Sequence, residues 1–344
     1  MGKNYKLQNM IRQMPQASSP LDIMVDGKEY ESILKYKFMD FDIAKEIRKA
    51  LKEVSVISNK PIVAYFANVI NQKVKASISI DSTDELPFTE LVSPINSSNR
   101  ELDFVLVTPG GSAEQVSKFV NKLRPRFDTV RFILPNIAMS AGSIFVMSGD
   151  EIIMTPDSYI GPIDPQVPGK DGRYIPAQSI LTLINDIQQR GSALLAGGQQ
   201  PLWTDLQILN NIDGKEIGAA LNASGYSIEL VKDYLTKYKF GAWDKHRNGM
   251  PVTEQEKQTR AIEIASRLCD HSIWKTHSRG ITREIAWEEC RLKILHAESI
   301  AGLERAIRRL WALMYWIFEN TAIYKILISE EYAIFRNDPS LINR

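Results

Sequence analysis

Two turns rich in glycine and serine, each preceded by an apolar strand pattern and followed by a helical one, constrain this chain most. The first turn is residues 108–112, and the second is residues 135–143. A Gly-Gly pair lets main-chain N–H groups turn toward a ligand because no Cβ obstructs them. A serine at the start of a helix lies where free N–H groups favour negative charge. Together these features are the components of a serine nucleophile facing an oxyanion hole, which indicates acyl transfer.

The composition is that of an ordinary globular protein. The 344 residues suffice for one large domain or two smaller ones, with 44% hydrophobic and 24% charged residues. The 42 Lys+Arg balance 41 Asp+Glu to a net charge of +1, which gives no indication of a nucleic-acid partner. Cys269 and Cys290 form no CxxC motif, so we interpret them as buried thiols in a reducing cytosol. We expect no metal and no cofactor.

The targeting signals of the sequence predict a cytoplasmic protein. The first residues have no apolar core of the signal-peptide type. Lys6 stands where an N-myristoylation motif requires Ser or Thr. The longest apolar run, residues 310–318, is too short to span a bilayer. We therefore expect no membrane span, while contact of the tryptophans in this run with a membrane surface stays open.

Hydrophobic periodicity divides the chain into three segments. Residues 1–58 are predicted as an N-terminal arm and an amphipathic helix, with an N-cap signal at 41–42. Residues 59–190 alternate strands with short helices, which predicts an α/β core with a parallel sheet. Residues 191–344 are predicted as a helical C-terminal region. The predicted strands include 62–67, 76–80, 102–107, 129–134 and 151–154, and the predicted C-terminal helices are 227–239, 254–269, 282–294 and 298–328.

Ser140 is the candidate nucleophile. A serine at a helix start is by itself usually an N-cap, but the Gly110-Gly111 turn follows a neighbouring strand. The carboxyl ends of parallel strands face one edge of the sheet. We therefore expect the N–H groups of Gly110, Gly111 and Ala141 to converge on one carbonyl oxygen. An anion cradle is the alternative for the glycines, although neither a P-loop nor a complete GxGxxG motif is present.

A third turn holds Asp164 between two prolines. Pro162 and Pro165 stiffen the loop and give the carboxylate a defined direction. Such an aspartate can orient or polarise a general base, or it can cap a turn. Both interpretations stay open from the sequence.

The three turns together resemble the signature of the serine dehydrogenase proteinase family, which are Clp-protease-like serine peptidases related to signal-peptide peptidases. The matching motifs are Thr-Pro-Gly-Gly at 108–111, Ala-Met-Ser-Ala-Gly at 138–142 and Gly-Pro-Ile-Asp-Pro-Gln at 161–166. The likeness extends over residues 60–185. It implies a Clp/crotonase-like fold, a Gly-Gly oxyanion loop, a peptide or protein substrate and assembly into rings or dimers. A peptide would add as an extended strand near Gly110.

The general base has three candidates. Clp peptidases have a histidine on the segment that corresponds to residues 161–166, and signal-peptide peptidases have a lysine downstream of the serine. This chain has no histidine at 161–166 and no lysine between Lys170 and Lys215. The candidates are Lys170 in a loop, Lys257 on a helix with a capping box, and His277, whose side-chain type titrates near neutrality. A chain without a competent base is the alternative.

The leading hypothesis is a serine hydrolase, with a peptidase preferred, that acts through Ser140. Two alternatives belong to other classes. One is a catalytically silent Clp-like scaffold or binding subunit of a larger assembly. The other is a crotonase-like acyl-CoA enzyme, which ranks last because the sequence indicates no basic pocket for the nucleotide phosphates.

Overall fold

The computed structural model describes residues 19–34, 36, 42–96, 100–169 and 174–342. Its strands are β1 (Ile62–Ala67), β2 (Glu101–Val107), β3 (Thr129–Leu134), β4 (Ile137–Ala138), β5 (Glu151–Met154), β6 (Tyr159–Ile160), β7 (Gln166–Pro168), β8 (Tyr174–Pro176), β9 (Leu295–His296), β10 (Ile323–Ile328) and β11 (Ala333–Asn337). Its helices are α1 (Glu29–Ile33), α2 (Ile43–Ser58), α3 (Glu85–Val92), α4 (Ala113–Leu123), α5 (Ala141–Val146), α6 (Ala177–Ala196), α7 (Trp203–Asn211), α8 (Gly214–Tyr234), α9 (Glu254–Cys269), α10 (His271–Trp274), α11 (Arg283–Cys290), α12 (Leu303–Asn320) and α13 (Pro339–Ile342).

Seven strands form the central sheet, in the order β11-β10-β1-β2-β3-β5-β9. The five strands from β1 to β9 in this order pair in parallel, and β10 and β11 are antiparallel. All six residues of β1 are buried, as expected for a sheet that helices cover on both faces. The predicted α/β fold with a mostly parallel sheet is therefore confirmed. Two short ladders, β4–β6 and β7–β8, lie outside this sheet.

Each face of the sheet has its own apolar core. On one face, five phenylalanines from α3, α4, α5, β2 and β3 pack together, and the rings of Phe88 and Phe119 stack at 4.0 Å between centroids. On the other face, α2 packs against α12. The apolar stripe of α12 includes Leu310, Leu313 and Ile317, which are fully buried there. This stripe belongs to the core of the chain, so it is not evidence for a subunit interface. Self-association stays a prediction.

The C-terminal region is helical only in part. The predicted helix 298–328 is wrong beyond Asn320, because β10 follows and pairs antiparallel with β1. An apolar run can form a buried strand or a buried helix, and here pairing satisfies the open edge of the parallel sheet. The predicted strand 76–80 is also wrong, since only Ile80 forms a single bridge, to Gly111. Strands β9, β10 and β11, from the predicted segment 191–344, thus complete the sheet whose other strands lie in the predicted segment 59–190. The boundaries between the three predicted segments stay a prediction.

Local signals positioned several helices correctly. The predicted helix 254–269 is α9, and the side chain of Thr253 caps it together with Glu256. Asp42 caps α2 by accepting a hydrogen bond from the Lys45 N–H, whereas the other half of the predicted N-cap signal, Phe41, lies outside the described residues. Across the described ranges, the helices fall short of the length or the apolarity that crossing a bilayer demands.

Candidate active site

Ser140 has a strained main chain. Its φ of 51° and ψ of −118° are sparsely populated for a residue that carries a Cβ. Such a conformation costs about 1–3 kcal/mol and persists only where the surroundings impose it. Two hydrogen bonds hold the turn: the Met139 N–H donates to Thr108 O at 3.1 Å, and the Gly142 N–H donates to Met139 O at 2.7 Å. Helix α5 begins at the next residue, Ala141. Strain of this kind is concentrated at functional sites.

The diglycine turn lies directly against Ser140. Gly110 and Gly111 have φ of +104° and +144°, which only glycine adopts readily. A Cβ on Gly110 would lie 2.7 Å from Met139 O and 2.8 Å from the Ser140 Cβ. The two turns that the sequence places after neighbouring strands therefore contact each other.

The main-chain donors of these turns differ from the expected set at one position. The Gly110 N–H donates to the Thr108 hydroxyl at 3.1 Å, so Gly110 is corrected from oxyanion donor to a residue that allows close packing. The N–H groups of Gly111 and Ala141 have no acceptor among the residues that the structure describes. Free N–H groups on both turns can donate hydrogen bonds to an oxyanion.

A cleft of about 650 Å³ opens beside Ser140. Gly111 and Ala141 line it together with the apolar side chains of Ile144 and Ile163. His277, from the distant C-terminal region, lines the same cleft. The structure therefore brings the predicted nucleophile, two predicted donors and one of the three candidate bases to a single cavity.

Asp164 is fully buried and faces two histidines. Its Oδ1 lies 2.8 Å from Nδ1 of His277, and its Oδ2 lies 3.0 Å from Nδ1 of His271. An ionised carboxylate only accepts hydrogen bonds, so it pairs with the histidine tautomer whose Nδ1 carries the proton. A neutral His277 ring in this tautomer keeps Nε2 available to accept a proton. Asp164 therefore fixes the orientation of the His277 ring, and its role toward a general base stays a prediction.

The segment after α9 carries both histidines to Asp164. The Ile163 N–H donates to Leu268 O at 3.0 Å, which joins the third turn to the end of α9. Ile160 and Ile281 form an antiparallel bridge beyond the histidines. Between them, Trp274 is buried and its indole N–H donates to a main-chain carbonyl of α9 at 2.8 Å. Contacts on both sides thus hold the histidine segment.

Two residues that contact the third turn were missed by the sequence reasoning. His271 carries no local signal, because its role comes only from the carboxylate it shares with His277. Ser143 is fully buried, accepts a hydrogen bond from the Gly161 N–H at 2.8 Å and contacts the carbonyl oxygens of Ala138 and Gly161 at 2.8 Å. It therefore joins α5 to the third turn. The Ser-x-x-Ser spacing of 140 and 143 was the available signal.

The lysine candidates do not reach the cleft. Lys257 donates to Gly241 O at 2.9 Å, and its Nζ lies 3.8 Å from a carboxylate oxygen of Asp244. It is not among the residues that line the cleft, so Lys257 is corrected to a residue that joins α9 to the preceding loop. Lys170 lies outside the described residues. Within the described ranges, no three His, Cys, Asp or Glu side chains are grouped to hold a metal ion.

The two cysteines are predicted to be unreactive in the folded protein. Burial raises the pKa of both thiols to about 12, and the nearby Asp164 charge adds to the effect at Cys269. At pH 8 only about one thiol in ten thousand is then a thiolate, the reactive form. Mass spectrometry after iodoacetamide treatment should find unmodified folded protein and two adducts in guanidinium. Rapid modification of the folded chain would contradict this burial.

Residues 77–193 match the family model of ClpP-like SDH-type serine proteinases. The predicted family resemblance is confirmed over this stretch, which contains all three turns. The match supports the prediction of a Clp-like fold. It gives no support to the alternative of a crotonase-like acyl-CoA enzyme. The region that supplies His271, His277 and β10 lies beyond the matched stretch.

Two archaeal relatives and one solved structure are similar to the chain. The uncharacterized protein MJ0137 of Methanocaldococcus jannaschii is 27% identical over 223 residues, which cover 63% of this chain and 72% of that protein. The uncharacterized protein MJ1495 of the same organism is 34% identical over 187 residues, 54% of this chain and 59% of its own length. A mutant of the 1510-N membrane-bound stomatin-specific protease has a TM-score of 0.36 and 15% identity, and the match covers 63% of this chain and 74% of that one.

Proposed function

We propose that this protein is a serine peptidase in which Ser140 is the nucleophile, His277 the general base and Asp164 the residue that orients the base. The observation that carries the proposal is the 2.8 Å contact between Asp164 and His277, whose ring lines the same cleft as Ser140. The serine proteinase family whose model matches residues 77–193 supports peptidase chemistry at the level of the reaction class. Cytoplasmic location, a peptide or protein substrate and self-association accompany the proposal as predictions.

The proposed reaction begins with transfer of the Ser140 Oγ proton to Nε2 of His277. Oγ forms a bond to the carbonyl carbon of the substrate, and the π electron pair of the C=O bond moves to its oxygen. The imidazolium then gives its proton to the leaving amine as the C–N bond breaks, which leaves an ester on Ser140. Water then attacks the carbonyl carbon of this ester while Nε2 of His277 takes a proton from the water. The ester C–O bond breaks, Ser140 Oγ takes the proton back from His277, and the acid product leaves. Asp164 stabilises the imidazolium and remains ionised throughout.

The N–H groups of Gly111 and Ala141 are proposed to donate hydrogen bonds to the oxyanion. One such donor contributes about 3–4 kcal/mol to transition-state stabilisation. The strained main chain of Ser140 supports this assignment, because Ala141 follows it directly and starts α5. The dipole of that short helix adds positive potential at the same position.

Exchange of each histidine for asparagine tests the assignment of the base. Both His277→Asn and His271→Asn lose a ring that contacts Asp164, but only His277 lines the cleft. A general base contributes about 100- to 10,000-fold to the rate. We expect His277→Asn to lower the hydrolysis rate of dye-quenched casein by that factor, whereas His271→Asn retains at least about a tenth of the rate.

Three outcomes would contradict the assignment of His277 as the base. Equal losses in the two variants would assign the effect to support of Asp164 rather than to a base at 277. Full activity of His277→Asn would remove His277 from the mechanism, and an inactive wild type would favour the scaffold alternative. Thermal unfolding of each variant shows whether the fold is kept.

A further inference from the structure

A buried ion pair lies behind the diglycine turn. Lys325 on β10 is 1% exposed, and its Nζ lies 2.8 and 3.1 Å from the two carboxylate oxygens of Asp84, which is fully buried. The Tyr65 hydroxyl donates to the same carboxylate at 3.0 Å. Burial raises the pKa of Tyr65 well above its usual range, so the phenol remains a neutral donor. Apolar residues often replace such a pair without loss of stability, so stability alone does not explain its presence.

The third contact of Lys325 leads toward the active site. Its Nζ donates to Ser79 O at 2.6 Å, and Ser79 lines the cleft. The next residue, Ile80, holds the diglycine turn through its main chain. The Ile80 N–H donates to Gly110 O at 2.7 Å, and Ile80 O accepts from the Ser112 N–H at 2.9 Å. Two consecutive residues, Ser79 and Ile80, therefore connect Lys325 to the diglycine turn.

The same charges hold the other side of Ile80. The Asp81 N–H donates to Asp84 Oδ2 at 3.2 Å, and the Asp81 carboxylate lies 3.6 Å from Lys325 Nζ. Ser79 and Asp81 are thus both tied to the Lys325–Asp84 pair, with Ile80 between them. A Cβ on Gly111 would lie 2.2 Å from Ile80 O, so the turn has almost no space to move relative to Ile80.

We propose that Lys325 is a positioning residue for the diglycine turn, acting through the carbonyl of Ser79 and the main chain of Ile80. The inference rests on the proposed function in that Gly111 supplies an oxyanion donor. Loss of the Ser79 contact allows Ser79 and Ile80 to shift, and the Gly111 N–H then moves away from the developing charge. Such a donor acts in the transition state, so kcat falls while KM changes little.

A double variant separates positioning from stability. Lys325→Met alone leaves the Asp84 charge buried without a neighbouring cation and destabilises the fold for that reason. Asp84→Asn/Lys325→Met removes both charges and also removes the Ser79 contact. The matched control is Asp103→Asn/Arg131→Met. Arg131 pairs with the fully buried Asp103 at 2.7 and 2.8 Å near the amino ends of β2 and β3, away from the cleft.

The expected result is a selective loss of rate. Because small misplacements of catalytic groups cost up to about 100-fold, we expect Asp84→Asn/Lys325→Met to lower kcat on dye-quenched casein at least about 10-fold, with KM within about twofold. The control should keep kcat within about threefold. Hydrogen exchange adds a readout that needs no activity: the amides of Ile80 and Ser112 should lose protection in the first double variant and keep it in the control.

Each outcome decides a separate point. Unchanged kcat and unchanged protection in Asp84→Asn/Lys325→Met would overturn the proposal, and equal losses in both double variants would reduce the pair to a structural role. If the wild type is not labelled by a fluorophosphonate, the proposed function fails, and hydrogen exchange at Ile80 and Ser112 alone decides whether Lys325 holds the turn.

Discussion

Replacing Ser140 by alanine is expected to lower peptide hydrolysis by about a million-fold and to abolish covalent labelling by a fluorophosphonate. Loss of Oγ removes the atom that forms the acyl ester, and the remaining groups of the cleft cannot replace it. The alanine has the same Cβ constraint at φ 51°, so the main-chain strain is unchanged. We therefore expect an unfolding free energy within about 1 kcal/mol of the wild type. The measurements are gel fluorescence after labelling and casein hydrolysis.

Ser79→Ala is the matched control for this experiment. Ser79 also lines the cleft, and the substitution leaves its carbonyl contact to Lys325 in place. We expect normal labelling of Ser79→Ala. Labelling of Ser140→Ala at the rate of the wild type would mean that the reactive serine lies elsewhere. Absence of labelling from the wild type would favour the scaffold alternative.

Gly111→Ala is expected to destabilise the protein by about 4 kcal/mol or more and to abolish hydrolysis. The new Cβ would lie 2.2 Å from Ile80 O and 2.5 Å from Ile80 N, so the main chain must separate. A φ of +144° adds strain of about 1–3 kcal/mol for a residue with a Cβ. The two hydrogen bonds of Ile80 to the turn contribute about 1 kcal/mol each and are lost as well. Urea unfolding measures the change.

Gly191→Ala is the control for the glycine experiment. Gly191 lies within α6, and a Cβ there meets no atom within 4 Å. Alanine is the better helix former, so we expect stabilisation by roughly 0.5–1 kcal/mol. A Gly111→Ala protein that unfolds within about 1 kcal/mol of the wild type would contradict the close packing of the two turns.

Local sequence signals predicted the turns and the helix starts. The Thr253/Glu256 capping box positioned α9, and the Ser112 side chain caps α4 by accepting from Gln115 N. Such signals act over three or four residues, so they remain readable without the fold. The same locality explains the error at Lys257: its helix was predicted correctly, but only packing decides which cavity a helix face lines.

The proposed base and its proposed orienting residue come together through contacts between distant segments. His277 lies 113 residues after Asp164, and nothing near either residue specifies their meeting. The Lys325–Asp84 pair spans 241 residues and depends on β10, which the hydrophobic pattern had suggested to be part of a helix. Periodicity does not distinguish a short buried strand from a buried helical segment.

The amino-acid sequence alone determined the parallel α/β core, the diglycine turn and the serine at the start of α5, because glycine freedom, capping and strand alternation are local properties. Only the tertiary structure decided that the Gly110 N–H is already bonded, that His277 rather than Lys257 lines the cleft with Ser140, and that Lys325 of the C-terminal hairpin donates to Ser79 O. The physical reason is that hydrogen bonds between segments far apart in the chain form only when the sheet and its helices have packed.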